Sequence, residues 1–213
     1  MRKVALGVGL ALLLAACADS TSDVDTATRE EPTALPDTVI VQDGVRLEIY
    51  GPLNSYGRDR SAELMRMVGV QRGFERLADR GLLAEYDGAI HVKATDANGR
   101  SLETTWFPFV DPSDEAALAV VVHVVQDGQE LVIPYGSRGG EPDIESISID
   151  GKNAPGPSGI PNLTGGCFGF ATELFQSCVG LCILNGLSSR TCSVSCRAAS
   201  AAALTACVLM SAE

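Results

Sequence analysis

The spacing of apolar residues changes period several times along this chain, and each change marks an element. Val39 and Val41 alternate with polar neighbours up to Asp43-Gly44, and Val45, Leu47 and Ile49 alternate after it. Asp-Gly between two alternating runs is a short-range hairpin signal, so residues 38–50 are predicted to form one. From Arg58 to Arg80 the period lengthens. Leu64, Met65, Val68, Phe74 and Leu77 fall at helical spacing, with Asp59 or Ser61 as a cap and Gly81 as a stop. Gly69 and Gly73 lie inside this helix and cost about 1 kcal/mol each relative to Ala. Their four-residue spacing suits close approach to a sheet, and it also suits a kink or a break into two helices.

Residues 89–150 read as a β-meander. Ile90, Val92 and Ala94 alternate up to Asn98-Gly99, a type I′ signature. Leu102 to Phe109 follows, with Pro108 marking an edge or bulge. The near-continuous apolar run Ala116 to Val125 predicts a central strand. Asp127-Gly128 turns it into Leu131–Ile133, and Ile144, Ile147 and Ile149 suggest a last strand.

Cysteines organise the C-terminal stretch. They stand at 167, 178, 182, 192, 196 and 207, a palindromic spacing centred on one point. Eleven residues advance a helix by only about 20° beyond three turns, and four by about 40° beyond one. Cys167, Cys178 and Cys182 therefore share one stripe, and Cys192, Cys196 and Cys207 share another. Asn185-Gly186 ends the first helix, and Ser188 or Ser189 caps the second. A short loop makes the pair antiparallel. Of the 15 pairings open to six cysteines, helix geometry selects 182–192, 178–196 and 167–207. Zinc is the competing use of paired C-x3-C, but it would leave Cys167 and Cys207 idle. The expected fold class is α+β: one helix on an antiparallel β-meander, followed by a disulfide-stapled antiparallel two-helix hairpin.

Composition then divides the chain. Met1-Arg2-Lys3, an apolar run to Leu14, and Leu14-Ala15-Ala16-Cys17 have the form of an export signal. Residues 18–37 are polar and hold Pro32 and Pro36, too poor in large apolar side chains to fold alone. Residues 151–166 carry three prolines and five glycines. The expected parts are a signal over 1–16, Cys17 with an acidic tether over 17–37, an α+β body over 38–150, a linker over 151–166 and the hairpin over 167–213. On this division the hairpin is an autonomous module that reduction melts while the body stays folded.

Charge narrows the function. The 16 Lys and Arg less Arg2 and Lys3 leave 14, against 27 Asp and Glu, a balance of −13. That disfavours nucleic acid and anionic lipid surfaces as partners. The hairpin itself carries side-chain charge only at Glu173, Arg190, Arg197 and Glu213. Its apolar residues spread around both helices, and each arm is about as long as a hydrocarbon core is thick. It is expected either to pack on the meander or a partner chain, or to enter a bilayer.

Catalytic signatures do not emerge. His91 and His123 both fall on predicted strands with no partner fixed by spacing. Hydrolase, phosphate-loop, zinc-protease and dinucleotide motifs do not occur. Gly69 to Gly73 lies within a helix rather than after a strand, and C-x3-C is not the thioredoxin-type C-x-x-C. No catalytic residue, metal or cofactor is expected.

Three resemblances add to this. Leu14-Ala15-Ala16-Cys17 resembles a bacterial lipobox, which implies cleavage before Cys17, a diacylglycerol anchor on it and a place in the cell envelope. Ala18 after it implies the outer membrane in a Gram-negative host. The paired C-x3-C hairpin is similar in architecture to twin-C-x3-C helical hairpins. The order of parts, with Gly165-Gly166 before Cys167, weakly resembles halocin-type cysteine-rich bacteriocin precursors. The expected function is a non-enzymatic, lipid-anchored envelope protein whose hairpin contacts an envelope protein or the bilayer. The alternative is a precursor that releases a membrane-active peptide.

Overall fold

The computed structural model describes residues 34–126, 128–136, 143–144, 147–148, 150–152, 166–184 and 189–210. Their order is β1 (Thr38–Gln42), β2 (Val45–Tyr50), α1 (Ser55–Leu64), α2 (Val68–Asp79), β3 (Leu83–Ala84) and a 3-10 turn (Tyr86–Gly88). β4 (Ile90–Thr95), β5 (Ser101–Asp111), β6 (Asp114–Gln126), β7 (Gln129–Gly136), β8 (Asp143–Ile144) and β9 (Ile147–Ser148) follow, then α3 (Gly166–Leu184) and α4 (Ser189–Met210).

All strands join one antiparallel sheet in the order β1-β2-β4-β5-β6-β7-β8, with β3 beside β5 and β9 beside β7. Two of its turns show their local causes. Asp43 and Gly44 both have positive φ, 50° and 79°, as a two-residue type I′ turn demands. Asn98-Gly99 behaves differently from expectation. Only Gly99 has positive φ, and Thr95 pairs with Ser101. The Asp96 carboxylate holds the backbone N–H groups of Asn98 and Arg100 and the Arg100 guanidinium, which favours a longer bulged turn over type I′. Pro108 sits where β5 changes neighbours, from β4 at Trp106 to β3 at Phe109, a position where its missing N–H costs no ladder bond.

The helix expected over 58–80 is two helices, broken at Met65–Met67. Gly57, Ser61 and Leu64 form one buried stripe, and Val70, Gly73 and Leu77 another. In an unbroken helix Leu64 and Val70, six residues apart, would point about 120° from each other. The break brings both stripes onto the sheet. At Gly73 α2 lies close against the sheet: a Cβ there would lie 3.0 Å from Val121 Cγ1 and 3.3 Å from Val132 Cγ1. Asn54, not Asp59 or Ser61, caps α1 by accepting the Tyr56 N–H.

The sheet is covered on both faces. Along β6, Leu118, Val120, Val122 and Val124 face one core, and Ala119 and Val121 face the other. The second core is completed by Leu64, Val70 and Leu77 of α1 and α2. The first is completed by Phe168, Phe175, Leu204, Val208 and Leu209 of α3 and α4. The C-terminal hairpin is thus the third layer of the fold, sharing its core with the sheet.

Candidate functional site

Three nested disulfides hold α3 to α4. Cys167 bonds Cys207, Cys178 bonds Cys196 and Cys182 bonds Cys192, with Cα separations of 5.7, 5.6 and 5.7 Å. These are the mirror pairs about the turn, so all six sulfurs are committed to one another. Cys17 lies outside the described residues.

Two hydroxyl contacts fix how the hairpin sits. The Thr172 hydroxyl donates to the Phe168 carbonyl at 2.9 Å, so its oxygen accepts from the Tyr135 hydroxyl at 2.5 Å. Thr205 donates to the Ala201 carbonyl at 2.7 Å and accepts from Thr104 of β5 at 2.8 Å. Phe168 stacks on Tyr135 with ring centroids 4.7 Å apart. Eight residues before Thr205 on α4, buried Arg197 pairs with Glu85, which follows β3, and reaches the Phe109 carbonyl. In the sequence these contacts show only as Thr172, Thr205 and Arg197, the last ahead of an alanine-rich run.

Burial is uneven along the hairpin. Both helices are long and apolar enough to cross a membrane. Here Phe168, Ala171, Phe175 and Val179 are buried in the core shared with the sheet. Past Val179 that burial ends. Leu181, Ile183 and Leu184 are 47, 50 and 83 % exposed, and Val194 on the returning helix is 39 % exposed. The disulfide between Cys182 and Cys192 lies within this apolar end. Among the described hairpin residues whose side chains are placed, only Glu173 and the buried Arg197 carry charge. Among the described residues, the hairpin therefore has a sheet-bound base and, toward its other end, exposed apolar side chains beside a disulfide whose Cys192 is itself buried.

The two histidines occupy the opposite face. Pairing register places Tyr50, His91, Thr105 and His123 in one row across β2, β4, β5 and β6. His91 Nδ1 lies 2.9 Å from Thr105 Oγ1, and its ring packs against Tyr50 and against Tyr56 of α1. His91 Nε2 is buried and has no hydrogen-bond partner among the described residues. His123 Nε2 lies 3.2 Å from Glu130 Oε2. Burial pushes His91 down to about 4. Burial also lowers His123, although Glu130 pulls the other way. Both rings are 1 % exposed, so this row is closed to solutes as it stands. The next row holds Glu48, Lys93 and Glu103, with Lys93 3.6 Å from Glu103. The Arg46 guanidinium, bonded to Glu48, holds that carboxyl below its usual range. Each residue is visible in the sequence, but the row is a product of register.

No protein family, curated protein or solved structure matches this chain.

Proposed function

We propose that this chain is an exported, lipid-anchored, non-enzymatic protein of the cell envelope that uses its hairpin tip to hold a partner protein. Its anchor is Cys17. The base of the hairpin is structural, closing one face of the sheet, and the tip is the contact surface. One observation carries this reading. The apolar character of α3 continues past the end of its burial, leaving Leu181, Ile183 and Leu184 exposed beside the stapling disulfide. Exposed apolar side chains clustered beside a disulfide suit a complementary groove, because the staple leaves less ordering entropy to be lost on docking.

A partner protein fits better than a bilayer-spanning role. Insertion of either helix across a membrane would strip Phe168, Phe175, Leu204 and Val208 from the sheet and uncover Leu118, Val120 and Val122 beneath them. Release of the segment after Gly166 as a free peptide would uncover the same surfaces.

A photo-crosslinking residue placed at Leu184 in the full chain, within its own envelope, tests the proposal. The expected result is one discrete protein adduct, absent when the probe stands at Glu173 and lost with Leu181→Asp. Lipid adducts alone, or a freed C-terminal fragment beginning after Gly166, would overturn it. Loss of envelope retention in Cys17→Ser tests the anchor separately.

A further inference from the structure

Among the described strands, the sheet ends at β1. Natural edges are blunted by lysines, prolines or bulges. β1 reads Thr-Val-Ile-Val-Gln, without charge or proline, and pairs with β2 in unbroken register. Among the described residues nothing pairs with its other side. Val39 and Val41 are 43 and 70 % exposed, because α1 and α2 do not extend over this strand.

We propose that β1 pairs antiparallel with β1 of a second copy of this chain about a two-fold axis at Ile40, joining two sheets into one. The sequence is self-complementary in that register. Val39 of each copy meets Val41 of the other, and Thr38 meets Gln42. The neighbouring strand supplies charge order as well. Val39 stands beside Glu48 and Val41 beside Arg46. Across the axis each row then runs Arg46, Val41, Val39, Glu48, with a cation at one end and an anion at the other. The acids flanking the strand would meet as Asp37 against Asp43. The Asp37 carboxylate, however, is already turned inward, accepting the Gly51 N–H at 2.6 Å and the Asn54 amide at 2.9 Å. A two-fold contact of this kind closes at the dimer.

Sedimentation of the disulfide-intact full chain over a concentration series tests this directly. The expected result is a monomer–dimer equilibrium. Val41→Lys and Val39→Glu each set a charged side chain on the edge, opposite a valine of the other copy, so each weakens the dimer roughly tenfold or more. Mixing the two variants places the introduced ammonium of one opposite the introduced carboxylate of the other and restores dimerisation. Amide exchange over residues 38–42 in the unaltered chain slows as concentration rises, a readout that needs no variant. A monomer at every concentration would overturn the proposal. So would a dimer that neither variant weakens, or folded variants that fail to recombine.

Discussion

The Tyr135 hydroxyl of β7 donates to the Thr172 hydroxyl of α3 at 2.5 Å, inside the core that sheet and hairpin share. Both residues are buried, and the contact spans 37 residues of sequence, including the Pro/Gly-rich stretch. Tyr135→Phe should cost about 1 kcal/mol, since Thr172 keeps its bond to the Phe168 carbonyl. Thr172→Val leaves the tyrosine hydroxyl buried without an acceptor and should cost about 1–3 kcal/mol. The double variant should cost less than the two singles together, as urea unfolding of all four proteins will show.

Gly73→Ala opposes helix propensity to packing. Propensity alone favours Ala by about 1 kcal/mol. Here the new methyl would press on two β-branched side chains, Val121 and Val132, both fully buried. Overpacking of that kind costs about 1–3 kcal/mol, so the variant should be less stable than the parent. An upward shift in thermal midpoint would show that α2 is free to move off the sheet.

Arg197 is buried and Glu85 is its carboxylate partner, joining α4 to the segment after β3. Glu85→Ala strands a buried guanidinium and should destabilise by about 2–4 kcal/mol, less than a wholly buried pair because Glu85 itself is partly exposed. Replacing Arg197 by Met with Glu85→Gln should recover most of that loss in chemical denaturation, because no buried charge remains.

Acid should weaken the fold through His91. Burial lowers its folded value from 6.5 to about 4, so between those limits the unfolded chain binds the proton more readily. The contribution is complete above pH 6.5, shrinks as pH falls toward 4 and is flat below, amounting to about 3 kcal/mol at most. The imidazolium would form facing Tyr50 and Tyr56, with Arg60 and Lys93 near enough to repel it and Glu103 to attract it. His91→Asn should flatten the stability–pH curve across that window; a curve unchanged by the substitution would place the acid sensitivity elsewhere.

How much of this was legible depends on whether a feature is local. The Asp43-Gly44 turn, the apolar run in β6 and the cysteine palindrome each lie within one or two elements, and period and spacing expose them. The break after Leu64 was also written in the chain, as two stripes out of phase, though five apolar residues at helical spacing masked it. Val68, one of those five, is 53 % exposed. What stayed hidden depends on contacts between distant segments. Nothing near Thr172 names Tyr135, and nothing near His91 names Tyr50 or Thr105. The hairpin's all-round apolar character was legible, but one sheet face and one exposed tip produce the same composition as two lipid-facing rods.

That distinction alters the expected response to reduction. A free-standing hairpin would melt alone once its disulfides, each contributing about 2–4 kcal/mol, were reduced. A hairpin that forms one wall of the sheet's core would carry the sheet with it. Trp106, the single tryptophan, is 1 % exposed on β5 in that same core and reports on the sheet from the hairpin side. The decisive measurement is denaturant unfolding after reduction, followed in parallel by helical circular dichroism and Trp106 fluorescence. Superimposable transitions, at a lower midpoint than in the oxidised protein, are expected. Loss of helix while the Trp106 signal remains native would contradict a shared core and restore the hairpin as a separate module.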